Sequence, residues 1–188
     1  DLDLPCPACE GRRYRPEVLS VQWQGLDVAA FLDQPVMKLA PALQRGALRQ
    51  ESLREGVEAM HRLGLGHLSL GRRRDTLSGG ESQRLTLAAS LLGGATATPS
   101  LFLLDEPATG LHEADLASLV AVLHELADRG DLVVAAEHRL SLIRAADHVV
   151  DLGPEGGPGG GRVVEVGPPQ SLRVGAMADA LGAGPLWR

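Results

Sequence analysis

An α/β fold, with a mostly parallel sheet flanked by helices and a mainly helical lobe ahead of it, is predicted by three features of these 188 residues. Strands alternate with helices from residue 100 onward, the pattern of a layered α/β unit. Leu101 to Leu104 is an unbroken apolar run, as expected for a strand covered on both faces, and it ends in Asp105-Glu106-Pro107. Before residue 95 the pattern is helical and culminates in Leu77-Ser78-Gly79-Gly80-Glu81-Ser82-Gln83-Arg84.

Taken in order, residues 1–16 are polar, with Pro5, Pro7 and Gly11, and read as a knuckle or loop. Val18 to Trp23 (VLSVQW) alternates apolar and polar and reads as a strand, with Gln24-Gly25 as its turn. Val28 to Leu32 is a short helix, broken before Pro35. A longer helix is expected from about Gln50 to Arg62, with Leu53, Val57, Met60 and Leu63 at helical spacing, ended by Gly64 and Gly66. Leu68 to Thr76 is an irregular link. The next helix starts after Ser78, where Ser78 and Glu81 make the S-x-x-E capping pattern, and Gly93-Gly94 stops it. Glu113 to Arg129 is the clearest amphipathic helix, with Leu116, Leu119, Val120, Leu123 and Leu126 along one side. Leu132 to Ala136 reads as a second buried strand, Leu140 to Ala146 as a helix and His148 to Leu152 as a third strand. Gly153 to Gly161 is a Gly/Pro-rich turn leading to a strand over Arg162 to Val166, and the tail after Pro168 is weakly patterned. The expected organisation is 1–16 as half a zinc module, 17–95 as the helical lobe, 96–172 as the α/β core and 173–188 as a tail.

Apolar residues make up 44% of the chain, enough for a real core, yet no run approaches the roughly 20 residues of a membrane span. No membrane partner is expected. The chain starts on Asp1 with no basic-then-apolar leader, so secretion is not expected, and it reads as a segment of a longer protein in the cytoplasm. A net charge of −6 argues against nucleic-acid binding by the whole surface, although Arg12, Arg13, Arg15 and Arg72 to Arg74 form local basic clusters. The two cysteines, Cys6 and Cys9, have the spacing of half a tetrahedral zinc site, and a redox pair has the same spacing.

Two stretches carry phosphate chemistry. A helix beginning at Ser78 offers unpaired N–H groups and the positive end of its dipole to an anion. Gly79 and Gly80 let the backbone approach closely, and Ser78 has a hydroxyl to donate. Capping alone needs only Ser78 and Glu81; it calls for neither glycine nor Gln83-Arg84. At the carboxyl end of a strand, where ligands of parallel sheets sit, Asp105 suits Mg²⁺ and Glu106 suits an attacking water. His138 ends the next strand, directly after Glu137, where an imidazole could bond a terminal phosphate. His112 has a place in the loop beyond Glu106. No GxxxxGK[ST] phosphate loop occurs in the sequence, and the only lysine is Lys38.

These motifs resemble a known group. LSGGESQR is similar to the signature of ABC-type ATPases, LFLLDEP to their Walker B strand, and His138 to their switch histidine. With Cys6-Pro-Ala-Cys9-Glu-Gly-Arg-Arg-Tyr14 ahead of them, and DEPATGLH (Asp105–His112), Glu137-His138 and DLGPEGGPGGGRVVEVGPP (Asp151–Pro169) behind, the order over about residues 4 to 172 is that of the C-terminal part of the UvrA family. That family is the damage-recognition subunit of bacterial nucleotide excision repair. The resemblance implies tandem ATPase modules in the full-length chain, a homodimer that inspects double-stranded DNA, and a UvrB-type partner subunit. It implies ATP and Mg²⁺ as cofactors and Zn²⁺ at cysteine modules. Leu77, Ser78, Gly79, Gly80, Glu81 and Gln83 would face ATP held by the opposing ATPase module. Asp105, Glu106 and His138 would serve this module's own site, with Asp105 as the Mg²⁺ ligand, and Cys6 and Cys9 would be one pair of zinc ligands.

Without the phosphate loop and the other cysteine pair, the chain by itself is expected neither to bind ATP tightly nor to close a zinc site. Other readings are an ABC transporter ATPase subunit, a chromosome-maintenance ATPase of the SMC kind, a drug-tolerance paralogue of the same family, and an inactive remnant. The cysteines and the glycine turn count against a transporter, and the lack of heptads counts against an SMC-like protein.

Overall fold

The structure, a computed structural model, describes residues 6–45, 51–93, 98–153, 161–173 and 175–182, and it divides into two compact units, Asp1–Ala97 and Thr98–Arg188. Among the described residues, no helix is long and apolar enough to cross a membrane.

The first unit opens with a tight turn around the cysteines and then α1 (Pro16–Leu19). The strand expected over Val18 to Trp23 is therefore mostly absent. Pro16 sits at the first helical position, where its fixed φ and missing N–H carry no penalty, and only β1 (Gln22–Trp23) is extended. It pairs antiparallel with β2 (Leu26–Asp27) across Gln24-Gly25, whose φ values of 51° and 80° give the left-handed pair that a two-residue hairpin needs. Asp27 caps α2 (Val28–Leu32), its Oδ1 accepting from the Ala30 N–H at 2.9 Å.

Next come α3 (Val36–Arg45), α4 (Glu51–Arg62) and α5 (Gly79–Leu92), with a 3₁₀ turn over Arg74–Thr76. The sequence pattern does not announce α3, because Pro41 lies inside it and breaks the usual signal for a continuous helix. Its apolar positions nonetheless enter the core: Val36, Leu39 and Leu43 are buried, with Val57, Met60, Leu63, Leu65, Leu68, Leu87 and Ala88. Gly64, at φ 70°, ends α4 in the left-handed conformation, and Leu65 N–H donates to the Met60 carbonyl at 2.9 Å across it.

In the second unit, β3 (Leu101–Asp105) and β4 (Leu132–Ala136) are parallel, paired from Leu101↔Leu132 to Asp105↔Ala136. The crossover is α6 (Glu113–Asp128). Then follow α7 (Leu140–Ala145), β5 (Val149–Gly153), β6 (Arg162–Gly167) and α8 (Gly175–Gly182). The buried side chains include Leu104, Ala108, Leu111, Leu116, Leu119, Val122, Leu126, Leu142, Ile143 and Leu172.

Two expectations need correction here. Of the three two-stranded sheets among the described residues, only β3–β4 is parallel; β5 and β6 pair antiparallel, as strands joined by a short connection must. The strands are also covered on one face, not both: Leu101 is 58% exposed, Leu103 70%, Leu132 61% and Val134 49%. These residues alternate along β3 and β4 and so share one face, while Phe102, Leu104 and Val133 share the other. The Gly/Pro-rich turn lies outside the described residues over 154–160. The tail carries α8, which the sequence pattern leaves unmarked.

Candidate functional site

At the end of β3 the ladder continues one residue further, Glu106 N–H donating to the Ala136 carbonyl at 2.9 Å. Glu106 has φ 45°, a left-handed conformation rarely taken by a side chain of this size, and Pro107 follows it buried. Backbone strain of this kind persists where surrounding contacts impose it and is common at reacting sites. The turn beyond is held from within: Thr109 N–H donates to the Glu106 carbonyl at 2.9 Å and Leu111 N–H to the Ala108 carbonyl at 3.1 Å. The Thr109 hydroxyl donates to Glu106 Oε2 at 3.1 Å, and Glu106 Oε1 lies 3.6 Å from His138 Nδ1. Asp105, Glu106 and His138 are all exposed at this strand edge, so the three residues predicted to act together are near-neighbours on consecutive strand ends. Among the described residues no protein group hydrogen-bonds the Asp105 carboxylate, whose oxygens suit a hard cation such as Mg²⁺. His112 is the N-cap residue of α6 and makes no side-chain capping bond.

Glu137 is the residue that sequence reasoning passed over. Its side chain is 5% exposed, and its two oxygens accept from backbone N–H groups of both loops: Ala108 at 3.3 Å, His138 at 2.8 Å and Arg139 at 3.1 Å. Only its place beside His138 could have drawn attention to it.

In the first unit, Ser78 is the N-cap of α5 and closes a full capping box. Ser78 Oγ accepts from Glu81 N–H at 3.2 Å, and Glu81 Oε2 accepts from Ser78 N–H at 2.8 Å. The second Glu81 oxygen is 2.7 Å from His67 Nε2, a partner with no sequence signal, fourteen residues earlier. Glu81, predicted to face nucleotide, thus has both oxygens engaged inside the lobe, where it shapes the turn. Ser78 and Gly79 are exposed, Gly80 and Leu77 are half-buried, and nothing lies within 4 Å of where a Cβ on Gly79 would project. Because Ser78 Oγ uses a lone pair for the cap, its proton is left to donate outward. Gln83 Oε1 is buried without a hydrogen-bond partner among the described residues, so Gln83 does not present that oxygen to solvent.

The Ser78 N–H bond, followed by His67, lowers the Glu81 carboxyl from 4.5 to about 2. A carboxyl with a depressed folded value stabilises the fold above its unfolded value, and that contribution is lost as pH falls from 4.5 through about 2. Glu81→Gln is therefore expected to lower the melting temperature at neutral pH, with the gap from wild type closing over that acid window. Parallel melts of the two proteins across the window check this; a gap that does not change with pH contradicts it.

Around the cysteines, the Cys6 carbonyl accepts from Cys9 N–H at 3.3 Å and from Glu10 N–H at 2.7 Å. The Ala8 and Cys9 N–H groups, together with the Cys9 side chain, hold the Cys6 thiol below its ordinary value, which favours the thiolate that a soft metal takes. Two thiols are half of a tetrahedral zinc set, and no group of three or more metal-ligating side chains occurs among the described residues. The knuckle is fastened to the lobe by Arg12, 2.5 Å from Asp27, and by Arg13, which donates to the Gly71 carbonyl at 2.8 Å.

A strand-end Asp-Glu pair beside a histidine, and a glycine turn capping a helix, are the features by which the chain resembles an ABC-type ATPase. No protein-family model matches it. The UvrABC system protein A of Brucella abortus is 44% identical over 172 residues, which is 92% of this chain and 17% of that protein. Its counterpart in Thermus thermophilus is 44% identical over 174 residues, 93% of this chain and 18% of that protein. The crystal structure of UvrA2 from Deinococcus radiodurans matches with a TM-score of 0.78 at 35% identity, over 96% of this chain and 22% of that one. Over the residues matched, the chain is similar to members of the UvrA family. It spans less than a fifth of the length of these curated relatives.

Proposed function

We propose that this chain is the C-terminal ATPase segment of a UvrA-type protein, which couples ATP hydrolysis to recognition of damaged double-stranded DNA in nucleotide excision repair. The observation that carries the reading is Glu106, held in a left-handed conformation at the end of β3 with His138 3.6 Å away. Asp105 would hold Mg²⁺, whose positive charge offsets the charge on the phosphates. Glu106 aligns and polarises the attacking water, and Thr109 fixes the direction of its carboxylate. His138 donates to the terminal phosphate. In the opposing module's site, the Ser78 hydroxyl and the Gly79 and Gly80 amides bind the γ-phosphate. Cys6 and Cys9 supply one pair of ligands to a zinc site completed by residues outside this chain. A homodimer, a UvrB-type partner subunit and a cytoplasmic setting complete the proposal.

The experiment is a chimera in which this segment replaces the matching part of the Thermus thermophilus relative. Magnesium-dependent ATP hydrolysis by the purified chimera supports the reading. A folded chimera that hydrolyses no ATP at the site containing Glu106 overturns it.

A further inference from the structure

We propose that Glu137 is a positioning residue that fastens the segment after β3 (106–112) to the segment after β4 (137–139), so that Glu106 and His138 are held and displaced as one unit. Among the described residues its hydrogen-bond partners are backbone N–H donors. One oxygen takes Ala108, and the other takes His138 and Arg139. A carboxylate this buried is costly unless such donors satisfy it, which ties the side chain to both segments at once. Ala108 is fully buried, and its N–H takes no part in the internal bonds of the 106–111 turn.

A second tie runs the same way, the Arg139 guanidinium donating to the Leu111 carbonyl at 3.1 Å and lying 3.8 Å from Glu113. The result is visible at His138, whose Nδ1 stands 3.6 Å from Glu106 Oε1 and 3.6 Å from Glu137 Oε1. His138 is on a short exposed loop, and the clamp on its backbone is what holds its ring beside Glu106. Any force that moves residues 106–112 is passed to His138 through the Glu137 and Arg139 side chains. The catalytic consequence rests on the ATPase reading above; the clamp itself does not.

Glu137→Gln tests it, because glutamine offers one acceptor oxygen and one amide donor where only N–H donors converge. In the whole chain, amide exchange at Ala108, His138 and Arg139 is expected to accelerate together by about tenfold or more, the scale of losing a bond to a charged group. Val134 in β4 should keep its protection. The His138 ring resonances should shift, while those of His124, whose ring bonds the Ala145 carbonyl, stay in place. Acceleration confined to His138 and Arg139, with Ala108 unchanged, overturns the proposal, as does an unmoved His138 ring.

If the variant loses Val134 protection too, wild-type exchange at low denaturant decides instead. The three amides should then open with one common denaturant slope, and separate slopes overturn the clamp. In the chimera, Glu137→Gln should lower kcat with little change in KM for ATP. A wild-type chimera that hydrolyses nothing sinks the ATPase reading and leaves the exchange result standing.

Discussion

Glu106→Gln is expected to lower ATP hydrolysis at this segment's own site by about 10²- to 10⁴-fold, the range that a positioned general base supplies. The measurement uses the chimera with the Walker B glutamate of its other module already changed to glutamine, so that a single site turns over. Glutamine keeps the size of the side chain and can still accept from the Thr109 hydroxyl, so binding of Mg·ATP should persist while turnover is lost. The unusual φ of 45° makes a further demand, because glutamine must sit in the same left-handed conformation. Its cost there is close to that of glutamate, so the fold should not change. Turnover within a factor of about three of the parent, at unchanged magnesium, would remove Glu106 from the role of base.

The second large effect falls on the core. Leu119 is 0% exposed in α6, the crossover between β3 and β4. Truncation to Ala should cost about 2–5 kcal/mol, because the packed surroundings close only partly over the cavity. That is a large fraction of the roughly 5–15 kcal/mol of an ordinary domain, in a unit whose β3–β4 sheet is covered on one face only. Leu123, on the same helix but half-buried, provides the comparison. Urea titrations followed by circular dichroism should show Leu119→Ala shifting the second unit's midpoint well beyond Leu123→Ala. Equal shifts would mean that the helix faces the sheet differently.

That pair of leucines also shows where the sequence could be read and where it could not. The spacing along α6 gives the helix and its buried Leu116, Leu119 and Leu126, because a period of 3.6 needs no knowledge of the partner. It also nominates Val120 and Leu123, which are only half-buried, and misses Val122, which is buried. The width of a buried stripe depends on the layer it meets, and that layer is remote in sequence. The apolar run of β3 predicts a strand correctly but predicts its coverage wrongly, since Leu101 and Leu103 lie exposed. Four apolar residues record what the strand is built to be packed against, and the described residues supply one of the two layers.

The candidate site divides the same way. Ser78 with Glu81, and Asp105-Glu106 at a strand end, are legible because capping and strand-end placement are local. Glu137 and His67 are not, because their roles arise from bonds across 29 and 14 residues that only folding brings together. Similarly, α3 hides behind Pro41, and α1 hides in an alternating pattern that Pro16 turns into helix.

The central claim is that the Ser78 turn and the Asp105-Glu106 pair serve different nucleotides, one held by the opposing module and one by this module. Steady-state ATP hydrolysis by the chimera with both modules intact tests it, using Glu106→Gln and Ser78→Arg separately and together. Each single variant should leave one hydrolysing site, and the double variant should leave none. A double variant no slower than the slower single variant would place both residues at the same nucleotide and contradict the account.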